Sequence, residues 1–219
     1  MVKAEVPAVN GGESYTYGDY KTWGDGRWEL IDGSAFDMSP SPGAAHQSVH
    51  SNLMAALLPY FIGAPCRVFS APFDVLFPVG DLFPLGGENP DDIATVLEPD
   101  IMILCDMSKL RPYGILGAPD VVFEILSPST SARDLNDKLL VYERGGVKEY
   151  IVVDPDNRIV TAYRRGDGSP SFNTRAVYRE SDMLDFRTFP ALNIRLANVF
   201  DVPVFSQTLQ RRTKWTSTN

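Results

Sequence analysis

Three short apolar runs constrain the fold of this chain most strongly. They are Ile101–Leu104, Val121–Leu126 and Glu149–Val153. Apolar runs of this length between turn-forming residues are typical of strands buried inside a sheet. A helix is predicted between the second and third runs, because Ser131 and Asp134 resemble a capping box and Gly145-Gly146 is a typical helix end.

The residues before these runs predict a hairpin and a helix. Trp28–Ile31 and Ala35–Met38 flank Asp32-Gly33, a pair that favours a tight hairpin turn. Ser41-Pro42 is typical of a helix start. Apolar residues spaced by three and four then predict a helix over 43–61, and they are Val49, Leu53, Leu57 and Tyr60.

The remaining segments complete a mixed α+β fold. Arg67–Phe77 is strand-like with a bulge or edge at Pro72, residues 78–92 form a loop, and 159–164 pairs with 172–178. Helices do not alternate regularly with strands, so a Rossmann-type sheet is disfavoured. We therefore expect one domain over 15–204, with tails at 1–14 and 205–219. It is a mixed sheet flanked by two helices, with an N-terminal hairpin and extra C-terminal strands.

The negative charge is concentrated in one segment. The chain has 219 residues and a formal net charge of −8, from 28 acidic and 20 basic side chains. Eight of the acids lie between Arg67 and Lys109, where there is no lysine or arginine. Most of them are expected to form a solvated loop, and one or two are candidates to hold a divalent cation. A nucleic-acid role would need a local basic surface or a metal.

The sequence predicts a cytoplasmic protein that does not enter a membrane. Uncharged stretches are interrupted before about 20 apolar residues accumulate. Residues 1–14 contain no apolar block of signal-peptide length. Cys66 and Cys105 lack a CxxC spacing, and their separation alone does not establish a disulfide.

Two carboxylates are the strongest candidates for chemistry. Glu124 interrupts an apolar strand, where an unpaired charge is costly to bury, and Asp100 precedes another such strand. If the two strands are antiparallel neighbours closing at Leu104 and Asp120, Asp100 lies opposite Glu124, with the Cβ atoms ~5 Å apart. Carboxylates that close repel unless a cation lies between them, and oxygen ligands suit Mg²⁺ or Mn²⁺.

Longer strings extend this pattern to a family resemblance. Pro99-Asp100, followed by Glu124 inside a hydrophobic strand, resembles the PD-(D/E)XK nuclease superfamily with its restriction-endonuclease-like fold. The strings WELIDG, PDIMIL, GAPDVVFEILSPST and EYIVVDP resemble a bacterial domain family described as restriction endonucleases. The resemblance covers roughly residues 17–200. It implies Mg²⁺-dependent hydrolysis of phosphodiester bonds, with Asp100, Glu124 and the Ile125 carbonyl as metal ligands.

The lysine of the superfamily motif is absent from its usual position. Leu126 stands there, and Lys138 is the natural candidate for a relocated lysine. With Leu135, Leu139 and Tyr142 on the core face of the helix, Lys138 lies ~60° from the centre of that face. The alternative is a surface ion pair between Asp134 and Lys138.

Three further residues remain open. Glu29 fits an ordinary hairpin, although the resemblance allows an acidic residue from an early element near the metal. His46 and His50 are one helical turn apart, but no third zinc ligand accompanies them, so packing or capping is expected. A role for His46 near the active site stays open.

The leading hypothesis is a metal-dependent endonuclease acting on DNA, with Asp100, Glu124, Lys138 and Glu29 as its site. The alternative is a nuclease-like fold kept for binding or regulation, which Leu126 and the acidic balance favour. A zinc hydrolase is the remote third case. A homodimer is also predicted, because two-fold symmetry matches two DNA strands and Phe77, Leu82, Phe83 and Leu85 could be buried at an interface.

Overall fold

A computed structural model describes residues 14–24, 26–38, 41–78, 89–127 and 135–201. The described helices are α1 (Tyr17–Tyr20), α2 (Ala44–Phe61), α3 (Asp137–Gly145) and α4 (Leu196–Val199). Two short 3₁₀ helices cover Pro90–Asp92 and Met107–Lys109. Within the part of the chain that is described, no helix is long and apolar enough to cross a membrane.

The strands form two mixed sheets and a small C-terminal hairpin. The central sheet contains β3 (Arg67–Ser70), β6 (Ile101–Leu104), β9 (Val121–Ile125), β10 (Glu149–Asp154), β11 (Ile159–Arg165) and β12 (Phe172–Arg179). The N-terminal sheet contains β1 (Trp28–Ile31), β2 (Ser34–Asp37), β4 (Val75–Leu76), β5 (Val96–Leu97), β7 (Leu110–Arg111) and β8 (Gly114–Leu116). The C-terminal hairpin pairs β13 (Met183–Asp185) with β14 (Asn193–Arg195).

The central sheet confirms the predicted core. Its order is β12-β11-β10-β9-β6-β3, and only β9 and β10 are parallel, as the helical crossover through α3 requires. One face packs against α2 and the C-terminal elements, and the other packs against α3 and part of the N-terminal sheet. The predicted hairpin β1–β2 is confirmed, with Asp32 and Gly33 at φ of 50° and 79°.

The segment predicted as one strand over Arg67–Phe77 divides between the two sheets. β3 ends at Ser70, the Ala71–Pro72 peptide is cis, and β4 begins at Val75 in the other sheet. The loop predicted over 105–119 likewise contains the β7–β8 hairpin. The prediction of a single sheet was therefore wrong, because strands of two or three residues carry too little pattern to be recognised.

Helix boundaries and buried faces differ from the prediction in detail. α2 begins at Ala44 with Gly43 at the N-cap, so Ser41-Pro42 does not start it, and Phe61 rather than Tyr60 is buried. α3 ends at Gly145 and is capped by Gly146 in the left-handed conformation, so the predicted helix end is confirmed. Leu135, predicted on its core face, lies before the first residue of α3 and is exposed. The predicted capping box at Ser131 and Asp134 lies outside the described residues.

The structure also tests residues predicted for a dimer interface. Phe77 is fully buried against Tyr142, so it is not available at the surface. Leu82, Phe83 and Leu85 lie outside the described residues. The two predicted tails also lie outside them, apart from Ser14. Dimerisation stays a prediction.

Cys66 and Cys105 are joined by a disulfide, which the sequence could not establish. The pairing of β3 with β6 sets Arg67 opposite Leu104. Cys66 precedes Arg67 and Cys105 follows Leu104, so the same register sets the two cysteines opposite each other. Their Cα atoms are 4.0 Å apart. The link closes the end of the central sheet away from Asp100.

Candidate active site

Strand register sets the two residues that carry the predicted carboxylates opposite each other. β6 and β9 are antiparallel neighbours, with Ile101 opposite Phe123 and Ile103 opposite Val121. The same register, continued by one residue, sets Asp100 opposite Glu124. This confirms the predicted pairing of the strands. Asp120 lies at the other end of β9, where it accepts hydrogen bonds from Cys105 and Lys148.

Asp100 is held by the backbone of β9 and by α2. The Ile125 N–H donates to Asp100 Oδ2 over 2.7 Å, and His46 Nε2 lies 3.1 Å from the same oxygen. His50, one turn further along α2, has its Nε2 3.3 Å from the backbone carbonyl oxygen of Asp100. The first turns of α2 therefore fix both the main chain and the side chain of Asp100.

Glu124 belongs to a buried cluster that it forms with side chains from α3 and β1. Its Oε1 accepts from Lys138 Nζ at 2.9 Å and from the Tyr142 hydroxyl at 2.5 Å. Lys138 Nζ also lies 2.8 Å from Glu29 Oε1. Glu29, Glu124 and Lys138 are each at most 3% exposed. We call Glu29, Glu124, Lys138 and Tyr142 the lysine cluster.

Lys138 is therefore a core residue and not a surface one. It stands with Val141 and Tyr142 on the buried face of α3. A surface pair with Asp134 is excluded by its 3% exposure. Burial and the charge of Glu124 raise the pKa of Tyr142 well above its usual range, so its hydroxyl keeps the proton that it donates.

Glu29 joins the cluster from the other sheet. It lies on β1, and its Oε1 also accepts from the backbone N–H of Glu98 at 3.1 Å. Glu98 in turn pairs with Arg27 over 2.5 Å. The early acidic residue left open by the sequence is thus a member of the candidate site.

The oxygen atoms near Asp100 suit a hard cation. A strand residue directs its N–H and C=O to the same side, and the Ile125 N–H points to Asp100, so the Ile125 carbonyl points the same way. Two glutamates and one lysine give the lysine cluster a formal charge of −1, and Asp100 adds to it. Carboxylate and carbonyl oxygens are the ligands that Mg²⁺ and Mn²⁺ prefer.

The structure gives no support to a zinc site. Among the described residues, no group of three or more His, Cys, Asp or Glu side chains is arranged to hold a metal ion. His46 and His50 instead contact Asp100. A magnesium ion beside Asp100 would instead be coordinated by two carboxylates, a carbonyl oxygen and water molecules.

A cavity of about 190 Å³ opens beside Asp100. It is lined by Arg27, Gln47, Ala71, Pro72 and both histidines. Arg27, at 41% side-chain exposure, brings a positive charge to this cavity. Sequence reasoning did not find Arg27, because its link to the site runs through Glu98, which is 71 residues away along the chain.

A buried carboxyl next to the site predicts a pH dependence of stability. Burial and the nearby charges of Glu98 and Glu29 raise the pKa of Asp74 from 3.8 to about 6, against the opposing hydrogen bond from the Tyr20 hydroxyl. The folded state therefore binds this proton more tightly than the unfolded state. The resulting stability is present below pH ~4 and is lost as the pH rises through about 6, by roughly 2 kcal/mol after allowance for partial exposure.

Asp74→Asn removes this loss and keeps an acceptor for Tyr20. We expect its free energy of unfolding, from urea titrations between pH 4 and 8, to rise relative to the native protein as the pH increases. Asp156→Asn, in an exposed turn, makes the same charge change and is the control. Parallel pH profiles for Asp74→Asn and the native protein would contradict the assignment.

Fold and site together define a restriction-endonuclease-like protein. The model of the family Uma2, described as "Putative restriction endonuclease", matches residues 17–197. The chain belongs to this family. A comparison with curated proteins gives no match.

One solved structure shows the same fold. It is the crystal structure of a "putative nuclease belonging to DUF820" from Anabaena variabilis, with a TM-score of 0.61 and 20% identity. The match covers 84% of this chain and 97% of the other. At that identity the likeness extends to the fold alone, and it confirms the predicted mixed α+β architecture.

Proposed function

We propose that this chain is a metal-dependent endonuclease that hydrolyses phosphodiester bonds of DNA. The observation that carries the proposal is the contact between Lys138 and Glu124, at the strand end where the register sets Asp100 opposite Glu124. A lysine from α3 thus stands beside Glu124, although Leu126 occupies the motif position. Membership of a family of restriction endonucleases supports the reaction class.

Asp100, Glu124 and the Ile125 carbonyl would hold Mg²⁺ or Mn²⁺. Such an ion, when bound, polarises a phosphate and lowers the pKa of a bound water. The protein's own part is to fix the ligands: the Ile125 N–H and His46 orient Asp100, and Tyr142 and Lys138 orient Glu124. Glu29 holds the Lys138 ammonium in place.

Asp100→Asn is the first test. The asparagine keeps an oxygen for the Ile125 N–H but loses the negative charge, so cleavage of supercoiled plasmid with Mg²⁺ or Mn²⁺ should fall by about 10²-fold or more. The rise in melting temperature that either metal gives the native protein should also disappear.

Pro119-Asp120, a second Pro-Asp pair in the sequence, offers a matched control. Asp120 likewise accepts a backbone N–H, at the far end of β9. Asp120→Asn should therefore leave the cleavage rate per folded molecule unchanged. Equal loss of activity in both variants would show that the effect of Asp100→Asn is structural.

A second function has one specific observation in its favour. Lys138 is buried and already bonded to two carboxylates, as a purely structural ion pair would be. With Leu126 at the motif position, the fold would then serve binding or regulation without hydrolysis. Absence of cleavage by the native protein on duplex and single-stranded DNA, with either metal, would select this alternative.

A further inference from the structure

A second cavity shares a wall with the cavity at Asp100. Its volume is about 240 Å³, below the ~300–1,000 Å³ typical of sites for drug-sized ligands. Pro72 lines both cavities. The new cavity is bounded further by three aromatic rings and two carboxylates, from Tyr20, Phe73, Tyr113, Asp74 and Glu98.

The aromatic walls are held in place by neighbouring rings. Tyr17 is buried and packs against both Tyr20 and Tyr113, with ring centroids 5.8 Å apart in each case. Phe73 stacks on Phe69 at 5.2 Å, with an angle of 12° between the planes. Rings supported in this way lose little conformational freedom when they bind a flat ligand.

The two carboxylates each have one oxygen available for a ligand. Asp74 Oδ1 accepts from the Tyr20 hydroxyl at 3.0 Å, and Glu98 Oε2 accepts from Arg27. No residue in the described part of the chain donates to Asp74 Oδ2 or Glu98 Oε1. Glu98 is only 8% exposed, so a donor from a ligand would reach a carboxylate that is largely shielded from water.

Arg27 connects the two cavities chemically. Its guanidinium lines the cavity at Asp100 and bonds Glu98, which lines the second cavity. A cavity that holds both Asp100 and Arg27, beside a cavity with aromatic walls and hydrogen-bond acceptors, matches the two ends of a nucleotide. The phosphate suits the first cavity, and the base suits the second.

We infer that the second cavity is a nucleobase subsite for a base with an exocyclic amino group. The inference rests on the proposed function for its class of ligand, a nucleic-acid strand with a phosphate at Asp100. An amino group donates to a carboxylate, as cytosine N4 does to Asp or Glu. Uracil and thymine present carbonyl oxygens there, which a carboxylate repels.

Such a subsite requires an unpaired base. A base must leave its stack to lie between aromatic side chains, as in proteins that bind single strands. The preferred substrate is therefore single-stranded or locally opened DNA.

Oligonucleotide binding tests the subsite without catalysis. Fluorescence anisotropy in EDTA compares 12-mers of deoxycytidine and deoxyuridine, which differ only at the amino or carbonyl edge. We expect the deoxycytidine 12-mer to bind about 10-fold more tightly. Asp74→Asn should reduce this preference to less than about 2-fold, because its amide also donates. Tyr113→Leu should weaken both 12-mers by about 10-fold, and Asp156→Asn should change neither.

Three results would overturn the subsite. They are equal affinity for the two 12-mers, a preference unchanged in Asp74→Asn, and tighter binding of a lysine-rich peptide that Asp74→Asn abolishes. The last would assign the cavity to a basic protein partner, since cations also bind aromatic rings and carboxylates. If the protein cleaves DNA but binds both 12-mers equally, only the subsite is contradicted. If it prefers the deoxycytidine 12-mer but does not cleave DNA, only the catalytic proposal is contradicted.

Discussion

Replacing Lys138 with methionine is expected to lower the free energy of unfolding by roughly 3–5 kcal/mol. Methionine keeps the apolar stem but leaves Glu29 and Glu124 buried close together without a positive charge. Breaking a buried ion pair by removing one partner has a cost of this size. Urea titration at neutral pH measures it.

The same variant is expected to lose about 10²-fold or more in plasmid cleavage per folded molecule. Adding Glu29→Gln to Lys138→Met removes one of the two negative charges, so it should restore part of the stability but none of the cleavage. Recovery of both together would show that Lys138 acts only through folding.

Arg164 provides a matched control on the opposite face of the central sheet. Its guanidinium pairs with buried Glu149 at 2.9 Å, and also bonds Tyr178 and the Asp185 carbonyl. Arg164→Met should therefore destabilise the protein by a similar roughly 3–5 kcal/mol and leave cleavage per folded molecule unchanged. Near-normal cleavage by folded Lys138→Met would end the assignment of Lys138 to the site.

The pairing of Asp100 with Glu124 could be predicted because it depends on local features. Both strands are uninterrupted apolar runs, and the segment between them begins and ends at clear boundaries, Leu104 and Asp120. Once two strands are taken as antiparallel neighbours, one known pair of opposed residues determines all the other cross-strand pairs. The prediction succeeded without any knowledge of the second sheet.

The burial of Lys138 was not predictable in the same way. Periodicity places Leu135 on the core face and Lys138 ~60° from its centre, yet Leu135 is exposed and Lys138 is buried. The compensating charge comes from Glu29 on β1, more than a hundred residues earlier and in another sheet. Side-chain pairing over that separation leaves no periodic signal in either segment.

The division of Arg67–Phe77 between two sheets shows the same limit. Pro72 marked an interruption, but a bulge and a change of sheet have the same local sequence pattern. What decides between them is the partner of β4, which is β5 on one side and β8 on the other. Each of these strands has only two or three residues, so their pairing is visible only in three dimensions.

The second large effect is expected from the disulfide between Cys66 and Cys105. The link spans 39 residues, and closing a loop of that length in the unfolded chain stabilises the folded state by about 4 kcal/mol. Reduction, or replacement of both cysteines with alanine, should lower the melting temperature by roughly 8–16 °C for a chain of this size.

Cleavage at moderate temperature should be unaffected by loss of the disulfide, because the link lies at the end of β6 away from Asp100. Alkylation followed by mass measurement, with and without reductant, determines whether the thiols are joined in the purified protein. Two thiols that alkylate fully without reductant, or a melting temperature that reductant does not change, would contradict the disulfide. That measurement also bears on the predicted cytoplasmic location, because a reducing compartment keeps such a pair as thiols. In a reducing compartment, the backbone pairing of β3 with β6 would hold this end of the central sheet together without the disulfide.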